Sequence, residues 1–256
     1  MKLTREGIKS SEWAKKGYSL PEFDFDKVQA ATKKAPFWIH FGAGNIFRAF
    51  QANVVQELLN KNILDCGLVV AEGYDYEIIE KMYKPHDNIG ALVTLKSSGS
   101  VEKTVVASIM EALTADSENE KDWARLCEIF RNPSLQMVSF TITEKGYLLR
   151  NASGVAMPGV EEDFAQGPVL PKSYIGKVVT LIHERYVNGE LPLAVVSMDN
   201  CSHNGDKIAA AVIEFATEWE NRGVCKPGFL SYVTNESKIS FPWTMIDKIT
   251  PSPDAK

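Results

Sequence analysis

The chain has 256 residues, with 33 Asp plus Glu against 28 Lys plus Arg, a net charge of −5 and a pI near 5.5. That length carries one large domain or two small ones with a sizeable core, and the mild acidity excludes a global electrostatic pull toward nucleic acid or an anionic membrane. No run approaches the roughly 18 apolar residues of a membrane span, residues 1–20 lack the apolar core of a secretory signal, and Cys66, Cys127, Cys201 and Cys225 make neither a CxxC pair nor a metal-finger spacing, so the reading is a cytoplasmic protein with free thiols and no metal.

Residues 1–35 are polar and mixed, and read as a surface arm with a short helix near 26–33. Phe37–Phe41 is a short aromatic run of the buried-strand type. Gly42 and Gly44 punctuate it, and from Ile46 apolar residues recur at 47, 50, 54, 55, 58 and 59 with a helical period. GLVVAE (67–72) is the next strand, and 76–83 reads as helix. Strands at 91–96 and 103–110, joined through SSGS, predict a hairpin. A helix at 122–130 and a buried strand at 135–143 follow, then an irregular stretch at 150–171. The remainder predicts a helix at 174–188, a strand at 193–200 and a long amphipathic helix at 207–221. Strands alternating with helices imply an α/β fold: a Rossmann-like doubly wound, mostly parallel sheet, helices on both faces and a small antiparallel insertion.

Five segments carry candidate chemistry. Gly42-Ala43-Gly44-Asn45-Ile46-Phe47-Arg48 joins a strand to a helix. One glycine permits the sharp bend and the other a close approach to a pyrophosphate, which first-turn N–H groups and the helix dipole would hold. Phe47 stands where a full GxGxxG has its last glycine, so a plain strand-to-helix turn is the competing reading. Glu72 ends the next strand, where a carboxylate can accept from adenosine ribose hydroxyls and repel a 2′-phosphate. Asp75 is a rival, and a solvated loop acid is the bland alternative. Thr141–Tyr147 places Glu144 and Lys145 at a strand's carboxyl end, as a site pair or a surface ion pair.

In Ser197–Gly205 an apolar strand runs into a polar cluster. Asn200 there can donate to a carbonyl oxygen gaining negative charge, Asp199 can orient neighbours, and Asn204 or Asp206 can simply cap the following helix. Asp247 lies within the apolar segment 241–251 and calls for a partner. Of the histidines, His40 reads as a satisfied core residue, His86 and His183 as surface positions, and His203 alone stands beside a candidate site.

At HFGAGNIFRAFQA, SFTITEKGY, VVSMDNCSHNGDK and FPWTMIDKITP the chain resembles the mannitol dehydrogenase family of polyol and sugar-acid dehydrogenases, across about residues 36–251. The resemblance implies a Rossmann-type domain at 36–251, with 1–35 as the arm and 252–256 as a tail. The family's helical C-terminal domain, with its lysine base, would lie outside this sequence. It implies NAD as cofactor, with NADP left open, held by Gly42, Gly44, Asn45, Phe47, Arg48, Glu72 and Glu144. Asn200 and Asp247 become the catalytic contacts with substrate. The family's Val-Asp-Arg is Ile-Asp-Lys here, at 246–248, which keeps the charge and loses a bidentate donor. The implied reaction interconverts a secondary alcohol and a ketone on an open-chain sugar acid or polyol, D-mannonate/D-fructuronate ahead of mannitol/fructose. The alternative is a dinucleotide-binding subunit or redox sensor without catalysis.

Overall fold

A computed structural model describes residues 1–247. Lys248, the expected domain end at 251 and the expected tail 252–256 lie outside the described residues. In chain order the elements are α1 (Glu12–Lys15), β1 (Tyr18–Ser19), α2 (Phe25–Lys34), β2 (Trp38–Phe41), a π-helical turn (Phe47–Gln51) leading into α3 (Ala52–Asn60), β3 (Leu68–Glu72), a second π-helical turn (Ile79–Tyr83), β4 (Gly90–Leu95), β5 (Val101–Val106) and β6 (Ile109–Thr114). There follow α4 (Glu120–Arg131), β7 (Met137–Phe140), α5 (Val160–Gln166), α6 (Tyr174–Val187), β8 (Leu193–Ser197), α7 (Asn204–Arg222), α8 (Phe229–Thr234) and β9 (Ile239–Ser240).

Six strands form one sheet in the order β6-β3-β2-β7-β8-β9. Renumbered by their own succession along the chain, this is 3-2-1-4-5-6, the strand order of dinucleotide-binding folds. β2 pairs with β7, β7 with β8 and β8 with β9, all parallel, with Phe41 beside Phe140 and Phe140 beside Ser197. Every residue of Leu68–Glu72 is buried, as expected of a strand covered on both faces. The order reverses at the β2–β7 pair, and ligands of such sheets collect outside the carboxyl ends of the strands there.

By internal contacts the chain divides into two compact units, Met1–Phe37 with Gly42–Leu113, and Trp38–Phe41 with Thr114–Asp247. In the first, β4 and β5 form the predicted antiparallel hairpin, and β1 adds to β5 in parallel. The opening segment is packed here, beyond what a surface arm would be. Trp13 is buried with Ile89, Val105 and Ala107, Leu3, Ile8, Tyr18 and Phe25 pack on them, and the indole donates to the Gly7 carbonyl at 2.9 Å. The expected strand 103–110 is two strands, because the chain breaks at Ala107-Ser108. The Ser108 hydroxyl donates to the Ala52 carbonyl at 2.6 Å and its own carbonyl accepts from Leu68 N–H at 2.8 Å.

In the second unit, side-chain caps start two of the helices. Asn119 accepts from Asp122 N–H ahead of α4, and Ser173 from Gly176 N–H ahead of α6. The stretch 150–171, read as irregular, contains α5 between Gly159 and Gly167, both at positive φ. Its buried Asp163 accepts from the N–H groups of Lys172 and Ser173, at 2.8 Å each. The Arg185 guanidinium is almost fully buried and is spent on main-chain carbonyls, those of Phe130, Asn132, Leu135, Leu191 and Pro192. His183 corrects the sequence reading. It lies on the buried side of α6 against Phe229 and Trp219, and burial lowers its pKa.

Candidate functional site

The turn after β2 belongs to the first unit. Gly42 takes φ 112°, a value that L side chains avoid, and its N–H donates to the Ala71 carbonyl at 2.9 Å. Ala43 is completely buried and its peptide groups are held on both sides. Its N–H donates to Glu72 Oε2 at 2.8 Å and its carbonyl accepts the Tyr83 hydroxyl at 2.9 Å. A Cβ placed on Gly44 would meet nothing within 4 Å, so the space before this residue is open. The helix starts at Asn45, and the N–H groups of Gly44, Asn45 and Ile46 donate to no acceptor among the described residues. Arg48 donates to Asn45 Oδ1 and stands over the Tyr83 ring, 5.8 Å from its centroid.

Glu72 is engaged with its own surroundings. Besides Ala43 N–H, its carboxylate accepts from Tyr74 N–H at 2.9 Å and Asp75 N–H at 3.3 Å. It thus ties the end of β3 to the glycine turn. Phe47 is fully buried, so only its main chain can face a ligand.

The second unit carries the polar cluster. Asp199, just past β8, accepts from Ile142 N–H at 3.0 Å, Thr143 N–H at 2.9 Å and the Tyr147 hydroxyl at 2.5 Å. Tyr147 also contacts Ser197 Oγ at 2.8 Å. Burial and the Asp199 carboxylate push the Tyr147 pKa well upward, so the hydroxyl stays a donor. Thr143 is held at φ 65°, ψ 160°, a conformation normally left to glycine. Glu144 pairs with Lys207, at 2.9 Å, and not with the adjacent Lys145. Asn200 is exposed and makes no hydrogen bond among the described residues. Asn204 is buried and does not cap α7. Its amide donates to Ser197 O and Thr244 Oγ1, and its oxygen accepts from Thr244 N–H at 3.0 Å. This anchors residues 241–247, where Trp243 stacks on His203 at 4.3 Å and Asp247 is exposed with no ion pair among the described residues. His40 is the core residue expected, with Nδ1 at 2.6 Å from Ser139 Oγ and Nε2 at 2.9 Å from Thr141 Oγ1. Burial lowers its pKa to about 3.

Among the described residues no group of three His, Cys, Asp or Glu could hold a metal, and no helix is long and apolar enough to cross a membrane. The family model for the mannitol dehydrogenase Rossmann domain matches residues 37–256. The chain belongs to the mannitol dehydrogenase family. Similar members include a D-mannonate oxidoreductase of Thermotoga maritima, 48% identical over 99% of this chain and 47% of the relative. A polyol:NADP oxidoreductase of Gluconobacter oxydans is 28% identical over 99% of this chain and 49% of its own length. In structure, the family's mannitol 2-dehydrogenase of Pseudomonas fluorescens, solved with NAD and D-mannitol, superposes with a TM-score of 0.79 at 25% identity, over 100% of this chain and 48% of that one. The chain therefore spans about half the length of the relatives it matches.

Three residues of this mannitol dehydrogenase family domain escaped the sequence reading. Tyr83 lies 40 positions from the carbonyl it holds and belongs to no motif. Thr143 and Tyr147 lie inside a motif that was read for its charges. A positive φ on a β-branched residue leaves no mark in the sequence.

Proposed function

We propose that this chain is the dinucleotide-binding portion of an NAD-dependent oxidoreductase that interconverts a secondary alcohol and a ketone on an open-chain sugar acid or polyol. The observation that carries this reading is the turn after β2: three N–H groups, Gly44 to Ile46, at the start of a long helix, open space before Gly44, and placement at the end of the first strand of a dinucleotide-type sheet. Such a turn fits a diphosphate, because the donors are unspent and the helix dipole favours negative charge. The residues present thus fit the cofactor that the family implies.

In the proposed mechanism the nicotinamide, when bound, supplies or accepts the hydride. The N–H groups of Gly44, Asn45 and Ile46 hold the phosphates. Glu72 sets the turn, and its charge at the end of β3 favours NAD over NADP. Asn200, exposed with its amide unspent, donates to the carbonyl oxygen as negative charge develops there. Asp247, also exposed, accepts from a substrate hydroxyl. Asp199 holds the 142–147 loop, on which Glu144 pairs with Lys207 of α7. The proton is moved by a lysine on a helical portion, supplied in the same polypeptide or by a partner. D-Mannonate/D-fructuronate is the preferred substrate pair, on the strength of the 48% identical relative's activity, with mannitol/fructose next. The cytoplasm is the proposed location.

Calorimetric titration of the chain with NADH and NADPH tests the binding half. The expected result is saturable heat, stronger with NADH. The catalytic half is tested by assaying NAD reduction with D-mannonate and D-mannitol, with and without a separately expressed C-terminal half of a family member. Turnover only in the mixture supports the reading; no heat with either nucleotide overturns it.

A further inference from the structure

We infer that Tyr83 is a positioning residue: its hydroxyl latches the Ala43–Gly44 peptide so that the Gly44 N–H faces the diphosphate, an inference that rests on the dinucleotide reading above. The two peptides flanking Ala43 are fixed by different partners. The Gly42–Ala43 peptide is fixed through Ala43 N–H on Glu72 Oε2. The Ala43–Gly44 peptide is fixed through Ala43 O, which accepts the Tyr83 hydroxyl at 2.9 Å. In a trans peptide the carbonyl and the N–H point to opposite edges, and there is no cis bond among the described residues. A carbonyl drawn inward to a buried hydroxyl therefore turns the Gly44 N–H the opposite way, on a residue whose Cβ position is itself open.

The latch has a physical reason. Glycine accepts φ of either sign, so rotation of an Ala-Gly peptide meets little steric resistance. A rotated peptide would present a carbonyl oxygen to the phosphates and withdraw a donor, exchanging an attraction for a repulsion. Tyr83 is 1% exposed, so no water competes for its hydroxyl, and it ends the π-helical turn Ile79–Tyr83 that carries the ring to this point. Burial raises its pKa, so the hydroxyl remains a donor at any ordinary pH. Arg48 flanks the same ring and leaves the hydroxyl to the carbonyl.

The test is Tyr83→Phe, which keeps the ring and removes only the hydroxyl. NADH, ADP-ribose and adenosine are titrated against both proteins, adenosine by competition with NADH. Loss of one neutral hydrogen bond predicts about five-fold weaker NADH and ADP-ribose binding, with adenosine unchanged because it brings no diphosphate. If the wild-type chain binds neither NADH nor NADPH, the dinucleotide reading itself fails. If the wild type binds and Tyr83→Phe binds NADH equally well, or loses adenosine in the same proportion, the latch is overturned while the dinucleotide reading stands. The wild type alone gives a second measurement, independent of whether the variant folds. The Gly44 amide resonance should shift strongly on titration with NADH and with inorganic pyrophosphate, and an unmoved Gly44 amide at saturating NADH overturns the latch.

Discussion

Thr143 holds a backbone conformation that costs of order 1–3 kcal/mol for a residue with a Cβ, and the hydrogen bond from its N–H to Asp199 Oδ1 helps to hold it there. Thr143→Gly should therefore stabilise the chain against urea by about 1 kcal/mol, the strain relieved less the backbone entropy a glycine adds. A loss of stability would mean that the conformation is not strained. Asp199→Asn removes one of the two carboxylate acceptors from a group serving two N–H groups and a buried hydroxyl. It should cost about 2 kcal/mol in the same assay. His40 supplies a pH signature. Its folded pKa, about 3, lies below the ordinary 6.5 because the buried ring resists charge. The ring is held on both sides, Nδ1 against Ser139 Oγ and Nε2 against Thr141 Oγ1, and the same serine oxygen accepts from the Trp38 indole. The stability held by the neutral ring is complete above pH 6.5 and is lost as pH falls from there toward 3. Compared with wild type, His40→Asn should show a shallower fall of unfolding free energy across that window, by about 1.4 kcal/mol per pH unit. Equal slopes would sink the assignment.

At the scale of elements, the central strands were legible because parallel strands covered on both faces are continuous apolar runs. The strands read at 67–72 and 193–200 are β3 and β8, the second ending at Ser197, three residues short of the reading, and the glycine turn follows β2. The break at Ala107-Ser108 was not legible, since KTVVASIM is one unbroken apolar run and the reason for the break is Ser108's bonding to Ala52 and Leu68, residues far away in sequence. Helix α5 hid between two glycines, and the acid at its centre is buried for the sake of a loop ten residues on. Site geometry was legible only where a motif is contiguous. Glu72 was placed at the right strand end, but nothing in GLVVAE says that its carboxylate turns back onto its own main chain. The α7 entry gives a test at this scale. A Cβ on Gly205 would stand 2.5 Å from the Phe241 carbonyl oxygen and 2.8 Å from Trp243 Cδ1. Gly205→Ala should push residues 241–244 away and break the Asn204–Thr244 bonds. Faster hydrogen exchange at the Thr244 amide, with β8 still protected, is the expected outcome; unchanged protection at Thr244 would refute the anchoring role.

For the whole molecule, ligand linkage is the accessible measurement. A ligand that binds only the folded chain adds about 2.7 kcal/mol of stability at a hundredfold excess over its Kd. On the proposed reading, in which the unspent donors of the first unit address a diphosphate, ADP-ribose should raise the melting temperature nearly as much as NADH, and nicotinamide alone should not. A shift from nicotinamide without one from ADP-ribose would contradict the placement of the phosphates at Gly44–Ile46. The chain's length, about half that of its relatives, gives the anchored 241–247 segment a further significance. Asn204 pins Thr244 beside the end of β8, three residues before Asp247. Within the second unit this hold falls between the candidate catalytic residues in sequence, four residues after Asn200 and three before Asp247. A helical portion fused to this domain would act at the local concentration that its linker sets. The same portion added as a separate molecule would have to reach that concentration in solution, so activity regained on mixing should rise with its dose.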